Sequence, residues 1–334
     1  MLTLRTSEIE LERCCEAAVD IIILDWNRPD ETILAVQSAL AQRGVARRVW
    51  VLDQGSRPEH QDKLAAFCED EPDVFVHWLD RNVGVACGRN LATQLGRAPY
   101  IVSLDNDAVF ADDYCVARAI ARMEREPQLG ALAFRIVDAL TCSDEAFWDY
   151  PVQLRESKLP CFAVTRFLGG GHVLRRRAFE SAGGYDERLF FCGEERDVAW
   201  RMIGLGYRLR LERDLTVVHR SVAASKVGWS SKRFYYLVRN TLYINHKFGA
   251  GVLAFARGAA GFMLRGVRCG LALAAIRGIG HALWMSVRFS LSAEDKRAYQ
   301  LSEQTRAYIA EVDQKHAEPL RARLKRALQP LPPV

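Results

Sequence analysis

The sequence predicts an α/β fold, with a mostly parallel central sheet flanked by helices and a basic helical extension at its carboxyl end. Three observations predict it. Short apolar runs alternate with helix-length segments from residue 19 to residue 126, the pattern of successive βαβ units. The apolar run Tyr100–Leu104 stops abruptly at Asp105-Asn106-Asp107, and open α/β sheets take their ligands at the carboxyl ends of strands. From Leu215 to Ala293 there is no Asp or Glu, against eleven Lys or Arg, so the chain changes character towards its end.

The elements follow in order. Residues 19–24 read as a first buried strand. Residues 30–42 read as a helix, with Ile33, Leu34, Val36, Leu40 and Ala41 at helical spacing and Pro29 near its start. Val49–Leu52 is a second strand, closed by the turn Asp53-Gln54-Gly55-Ser56; 59–68 is a helix and Val74–Trp78 a third strand. A helix over 84–95, the strand 100–104 and a helix over 112–126 complete the regular part. The stretch 140–165 reads as an irregular insertion, 177–182 and 195–205 as helices, and 207–218 as one or two strands. Long, basic, Ala/Gly-rich helices begin at 231, and 294–327 reads as a charged helix. The expected division is an amino-terminal extension (1–18), a catalytic domain (19–230) and a basic helical region (231–334).

The 334 residues, 49% hydrophobic and 26% charged, describe an ordinary globular protein large enough for one extended domain or two. Nine cysteines, an odd number without metal-ligand spacing, favour a reducing, cytoplasmic compartment over a disulfide framework. Glu8, Glu10, Glu12 and Glu16 interrupt the first eighteen residues, so no secretory signal is read there.

Asp105 and Asp107 share one direction if the chain stays extended. The pair then reads either as a seat for a divalent cation carrying a phosphate or as an Asp-rich turn. Asp53 follows a strand and opens a glycine turn; its carboxylate can accept a hydrogen bond from a pyrimidine ring N–H or stabilise its own turn. In Asn82-Val-Gly84-Val-Ala-Cys-Gly88-Arg89-Asn90 the glycines stand at a helix start, where backbone approaches a ligand or a neighbour closely. Glu194, Glu195 and Asp197 open a helix, a place acidic residues favour in any case. His219 closes the run Leu215–Val218.

Five islands line up: Leu24-Asp25-Trp26-Asn27-Arg28-Pro29, Val51-Leu-Asp53-Gln-Gly-Ser56, the segment 82–90, Leu104–Asp107, and Gly183-Gly-Tyr-Asp186-Glu with Gly193-Glu194-Glu195-Arg-Asp197. Over residues 19–247 their order resembles the family-2 glycosyltransferases of GT-A fold, the nucleotide-diphospho-sugar transferase fold, and most the rhamnosyltransferase-like branch. The resemblance implies metal-dependent, inverting transfer of a hexosyl or deoxyhexosyl group from a nucleotide-sugar, a UDP- or dTDP-sugar, to a saccharide or lipid-linked saccharide in bacterial surface polysaccharide assembly. It implies donor contacts at Asp25, Trp26, Asn27, Arg28, Asp53, Asn82, Gly84, Arg89, Asp105, Asn106, Gly170 and Gly171. It implies Mg2+ or Mn2+ at Asp105, Asp107 and His219, and a base at Glu195, with Glu194 and Asp197 as alternatives. Where the family has Asp at the base position this chain has Glu195, one methylene longer. The competing reading is a non-catalytic nucleotide-sugar-binding or scaffold protein that keeps the fold.

Residues 251–290 are apolar but broken by Arg257, Arg265, Arg268 and Arg277, leaving no uncharged run of membrane-spanning length. They are expected either to lie on an anionic membrane, at the inner face of the cell membrane, or to pack on the catalytic domain. No nucleic-acid-binding module is recognised.

Overall fold

The structure, a computed structural model, describes residues 18–144, 159–220 and 230–315. The expected extension up to residue 17, the centre of the 140–165 insertion, Lys226 and the last part of the 294–327 helix lie outside the described residues.

Four strands form the parallel half of a nine-stranded sheet: β1 (Val19–Asp25), β2 (Arg47–Gln54), β3 (Val74–Leu79) and β4 (Tyr100–Asp105), in the order β3-β2-β1-β4. Helices α1 (Pro29–Leu40), α2 (Pro58–Cys68) and α3 (Val85–Leu95) connect them. The sheet then becomes mixed. β8 (Gly171–Arg175) runs antiparallel to β4, followed by β6 (Leu129–Asp138), β9 (Arg208–His219) and β5 (Ala108–Phe110), with β7 (Cys161–Val164) also on β9. Helices α4 (Cys115–Arg125), α5 (Arg176–Ser181) and α6 (Glu194–Gly204) complete this half.

Parallel strands covered on both faces read as unbroken apolar runs. In β1, Ile21 and Ile23 join the core beneath α1 and α4, while Ile22 joins the core on the other face with α3 and α6. The apolar runs of β6 and β8 and the short strands β5 and β7 escaped the sequence reading. β6 begins Leu-Gly-Ala-Leu-Ala, poor in β-formers. Its partner β8 lies some forty residues away, a pairing that local pattern does not reveal.

Five helices follow: α7 (Ser231–Lys247), α8 (Val252–Arg268), α9 (Ala272–Leu291), α10 (Ala293–Ala298) and α11 (Glu303–Lys315). Residue 230 marks a change in sequence character, yet packing runs across it. Tyr243, Ile244, Phe248, Met285, Phe289, Leu301 and Ile309 belong to the same apolar cluster as Ile22, Leu52 and Ile101. A separate cluster joins Phe234, Leu237, Val238 and Leu242 of α7 to Ala274, Ala275 and Ala282 of α9.

Candidate active site

Strand register sets the site. Asp25 pairs with Asp53 across β1 and β2, and Leu24 pairs with Asp105 across β1 and β4. Three carboxylates therefore end three neighbouring parallel strands at one edge of the sheet. Asp53 is fully buried. Its Oδ1 accepts from the Gly55 and Ser56 amides at 3.1 and 3.0 Å and from Gln61 Nε2 at 2.7 Å. Its Oδ2 has no partner among the described residues. A buried carboxylate oxygen left bare is costly unless a ligand donates to it. Asp25 instead builds the loop: Oδ1 accepts from Thr32 Oγ1 at 2.7 Å, securing the first turn of α1, and Asn106 Nδ2 approaches it at 3.4 Å. Burial, and next the Asp53 charge, push the Asp25 carboxyl above its ordinary range, against the Thr32 hydrogen bond. Asn27 (φ 58°) receives the Arg57 amide on Oδ1 at 2.9 Å and donates its own amide to Ser56 Oγ at 2.7 Å, joining the β1 and β2 loops. Trp26 beside it is half exposed.

The chain does not stay extended through Asp107. β4 ends at Asp105 and a turn carries residues 106–107 into β5, so alternation does not apply and the two carboxylates meet different partners. Asp107 Oδ1 lies 3.1 Å from His219 Nε2, because Ala108 pairs with His219 across β5 and β9. Its Oδ2 accepts from Arg28 Nη1 at 2.9 Å. Burial alone would raise the Asp107 pKa; the His219 hydrogen bond and the nearby charges of His219 and Arg28 prevail and lower it. Among the described residues no three His, Cys, Asp or Glu side chains converge as a metal cluster. The Asp107–His219 pair nevertheless sets a hard carboxylate oxygen, the donor that suits Mg2+ or Mn2+, beside an imidazole nitrogen.

Arg89 leads from this edge to the helix α6. It is buried, and its guanidinium donates to Glu195 Oε1 at 2.7 Å, Asp105 Oδ1 at 3.0 Å and the Gly169 carbonyl at 3.0 Å. A side chain at Gly169 would strike both Arg89 and Glu195, and one at Gly170 would come within 3.6 Å of Asp105. Gly171, expected at the donor, begins β8 and gives way to Val217 and Phe134 in the core. Gly84 likewise yields space to Phe190, and Asn82 accepts the Gly84 amide at 2.9 Å in the turn that precedes α3. Glu194 is buried with Oε2 unpartnered. Burial, then the neighbouring Glu195 charge, raise its pKa to about 8. Burial also raises Glu195, against Arg89. Its side chain keeps 14% exposure.

Asp197 is not available as a base. Its Oδ2 accepts from Arg201 at 2.9 and 2.6 Å and its Oδ1 from Lys247 Nζ at 2.6 Å. Lys247 also donates to Asp186 Oδ2 at 2.6 Å. This fully buried pairing compensates every charge it contains, which explains why Asp197 lies on the inner face of α6.

The loop before α6 is held by residues the sequence reading missed. Phe190 (φ 61°), Cys192 (φ 71°) and Gly193 (φ 90°) are all in the left-handed region. Asn240 Nδ2 donates to the carbonyls of Leu189, Phe191 and Cys192 at 2.9, 2.7 and 2.6 Å. Arg239 donates to the Arg188 and Leu189 carbonyls at 3.0 and 2.6 Å. The signal was a polar pair within the apolar stripe Leu237–Tyr243. His172, also missed, bridges the Leu168 carbonyl (2.8 Å) and the Tyr185 hydroxyl (3.0 Å) beneath the site.

This arrangement, carboxylates ending parallel strands and a second acidic pair opening a helix opposite them, is one that comparison with known proteins identifies. Residues 20–182 match the family model of glycosyl transferase family 2, and this segment is a family-2 glycosyltransferase domain. The chain is similar to the succinoglycan biosynthesis protein ExoO of Rhizobium meliloti (strain 1021), at 26% identity over 206 residues, covering 61% of this chain and 56% of that protein. The chain thus spans only about half the length of that relative. Among solved structures it is similar to a mannosyltransferase from Pyrobaculum calidifontis in complex with GDP-Man and Mn2+, at 17% identity and a TM-score of 0.55, covering 90% of this chain and 87% of that one. It is also similar to GalNAc-T7 with UDP, GalNAc and Mn2+, at 14% identity and a TM-score of 0.57, covering 82% and 57%. These likenesses show a GT-A fold with an added helical region.

Proposed function

We propose that this chain is a metal-dependent, inverting glycosyltransferase that moves a hexosyl or deoxyhexosyl group from a nucleotide-diphosphate donor to a saccharide or lipid-linked saccharide. The observation that carries the reading is Arg89, which ties the strand-end carboxylate Asp105 to Glu195 at the start of α6. Donor-side and acceptor-side groups thereby share one rigid cation.

The bare Asp53 Oδ2 supports a pyrimidine donor, a UDP- or dTDP-sugar, whose ring N–H it would accept. Trp26 offers an exposed face for the base. Mg2+ or Mn2+, held by Asp107 and His219 with Asp105 alongside, would offset the charge gathering on the departing diphosphate. Arg28 lies against Asp107 and is within reach of the same phosphates. Glu195 takes the proton from the acceptor hydroxyl as that oxygen bonds to the anomeric carbon and the bond to the diphosphate breaks. Glu194 lies beside it, its pKa raised to about 8 by burial and then by the Glu195 charge.

The name of the relative in succinoglycan biosynthesis supports a place in bacterial polysaccharide assembly, with the protein on the cytoplasmic side and its acceptor presented at the inner face of the membrane. The test is binding and hydrolysis of a panel of UDP-, GDP- and dTDP-sugars with and without Mn2+. Metal-dependent binding of one donor, lost in Asp107→Ala, is expected. No binding of any donor under either condition would overturn the reading and leave a scaffold that keeps only the fold.

A further inference from the structure

Helices α8 and α9 pack on α7 and on each other partly through glycine: a Cβ on Gly258 would meet Leu242 at 2.9 Å, one on Gly266 would meet Ala275 at 2.8 Å, and one on Gly278 would meet Val238 at 2.9 Å. Met285 and Phe289 are buried as well, yet many of the large apolar side chains of the two helices face outward. Of seventeen exposed large hydrophobic side chains among the described residues, ten lie between Val252 and Leu291. Leu253 and Leu264 on α8, at 70% and 60% exposure, and Leu273, Ile276, Trp284 and Leu291 on α9, at 53–82%, form the outer stripes. An ordinary surface helix keeps its outer face polar, and so many exposed apolar side chains on two adjoining helices mark an interaction surface.

The charge on the same face identifies the occupant. Arg257, Arg268, Arg277 and Arg288 are exposed among these side chains, and no acidic residue occurs from Leu215 to Ala293. A second copy of the chain docking face to face would set arginine against arginine with no carboxylate between. An anionic lipid surface complements both features: arginines to the headgroups, apolar stripes to the acyl boundary. Trp284, with the Arg288 guanidinium 5.0 Å from its ring centroid, has the apolar body and polar edge that suit that boundary. No described helix is long and apolar enough to cross a membrane. We infer that the outer face of α8 and α9 lies in the plane of an anionic membrane.

The placement bears on the site. α7 packs Phe234, Leu237, Val238 and Leu242 against α8 and α9, while its Asn240 holds the loop leading into Glu194 and Glu195. The membrane face therefore stands one helix, about 10 Å, behind the catalytic loop. Delivery of a lipid-linked acceptor there rests on the glycosyl-transfer reading; the docking itself does not.

The test is flotation of the full chain with phosphatidylcholine vesicles, with and without 30 mol% phosphatidylglycerol (roughly the anionic range in which such helices bind). Recovery with the anionic vesicles and release by high salt are expected. Each neutralised arginine should lower partitioning about fivefold, so Arg257→Gln/Arg277→Gln/Arg288→Gln should bind roughly 100-fold more weakly with donor hydrolysis unchanged. Ile276→Ser/Leu283→Ser should also release the protein, with an unchanged circular dichroism spectrum. No recovery with either vesicle overturns the inference. So does equal recovery on neutral vesicles, or a concentration-dependent dimer in sedimentation that the serine variant disperses. A chain that floats but transfers no sugar would leave the surface standing and remove only the enzyme reading.

Discussion

Glu195 and Asp105 accept hydrogen bonds from one guanidinium, that of Arg89, at 2.7 and 3.0 Å. The two carboxylates lie ninety residues apart in sequence, on a helix start and a strand end. Arg89 itself is buried and makes its third bond to the Gly169 carbonyl. Arg89→Ala leaves both carboxylates without their cation; Asp105 is 41% exposed and solvated, whereas breaking the buried pair with Glu195 costs about 3–5 kcal/mol. Arg89→Lys keeps the charge and loses the fork, since one ammonium does not reach both partners in fixed geometry. The lysine variant is expected to fold, to bind donor, and to lose roughly 100-fold in kcat. Denaturant unfolding and steady-state kinetics measure the two effects separately.

Glu194 makes stability depend on pH. Its pKa rises from 4.5 to about 8 on folding, so between those values the folded chain binds a proton that the unfolded chain has released. Stability therefore falls as pH rises from about 4.5 to about 8 and levels off above it. The full effect is on the order of a few kcal/mol. Glu194→Gln removes the titration. Its melting temperature should exceed that of the unsubstituted protein at pH 8 and match it near pH 4.5, by calorimetry at each pH. A parallel pair of curves would show that Glu194 titrates alike in the folded and unfolded chain.

The strands and helices up to residue 126 were legible because each parallel strand is an apolar run closed by a turn, a signal that needs no partner. The strand-end carboxylates Asp25, Asp53 and Asp105 were legible for the same reason. Whether one of them faces a ligand or its own loop was not: Asp53 keeps a bare oxygen while Asp25 spends one on Thr32, a difference set by the register of neighbouring loops. The direction of Asp107 was misread because a turn replaced the extended chain. Asp197 looked like a base because it sits in an acidic helix start; its partner Lys247 lies fifty residues on, in a helix that reads as separate. Gly84 and Gly171 show the same limit. A glycine announces close approach, and only the fold says what approaches.

Asp107 and His219 can be tested by metal removal. Chelation is expected to abolish donor binding, and Mn2+ or Mg2+ to restore it. Asp107→Ala should lose binding at every metal concentration. His219→Ala keeps the carboxylate and should shift the metal requirement roughly 10–100-fold upward. Titration calorimetry with Mn2+ and the preferred donor distinguishes these outcomes from an effect on folding.

Lys247 tests the continuity of packing across residue 230. Its ammonium is fully buried between Asp186 and Asp197, at 2.6 Å from each. Lys247→Met leaves both carboxylates without that charge, although Arg188 and Arg201 remain with one each, and should cost about 3–5 kcal/mol. The Asp186 carboxyl, held far below its usual range by Lys247 and Arg188 against burial, contributes stability above the unfolded pKa that is lost as pH falls. The variant should consequently lose part of the acid dependence of unfolding. A chain ending at residue 230 lacks Lys247 and Asn240 together and is expected to be recovered insoluble.

Asn240 separates position from stability. Its side-chain amide donates to the carbonyls of Leu189, Phe191 and Cys192, in a loop where Phe190 and Cys192 both hold positive φ. A non-glycine residue held there costs on the order of 1–3 kcal/mol, so the loop keeps this shape only while its carbonyls are paired. Asn240→Ala removes all three bonds, and the loop relaxes, moving the first residues of α6. Asn240→Asp replaces the donor with an acceptor that faces carbonyl oxygens and should be worse. Asp53 ends a different strand, and this loop reaches the donor side only where Phe190 packs on Gly84, so donor affinity should fall far less than kcat, which falls roughly 100-fold. Cys192→Gly relieves one strained residue and leaves the carbonyls in place; it should add on the order of 1 kcal/mol of stability with little change in kcat. Should Asn240→Ala lower the melting temperature and leave kcat intact at a temperature where the variant is folded, the loop would be a structural tie that does not aim Glu195.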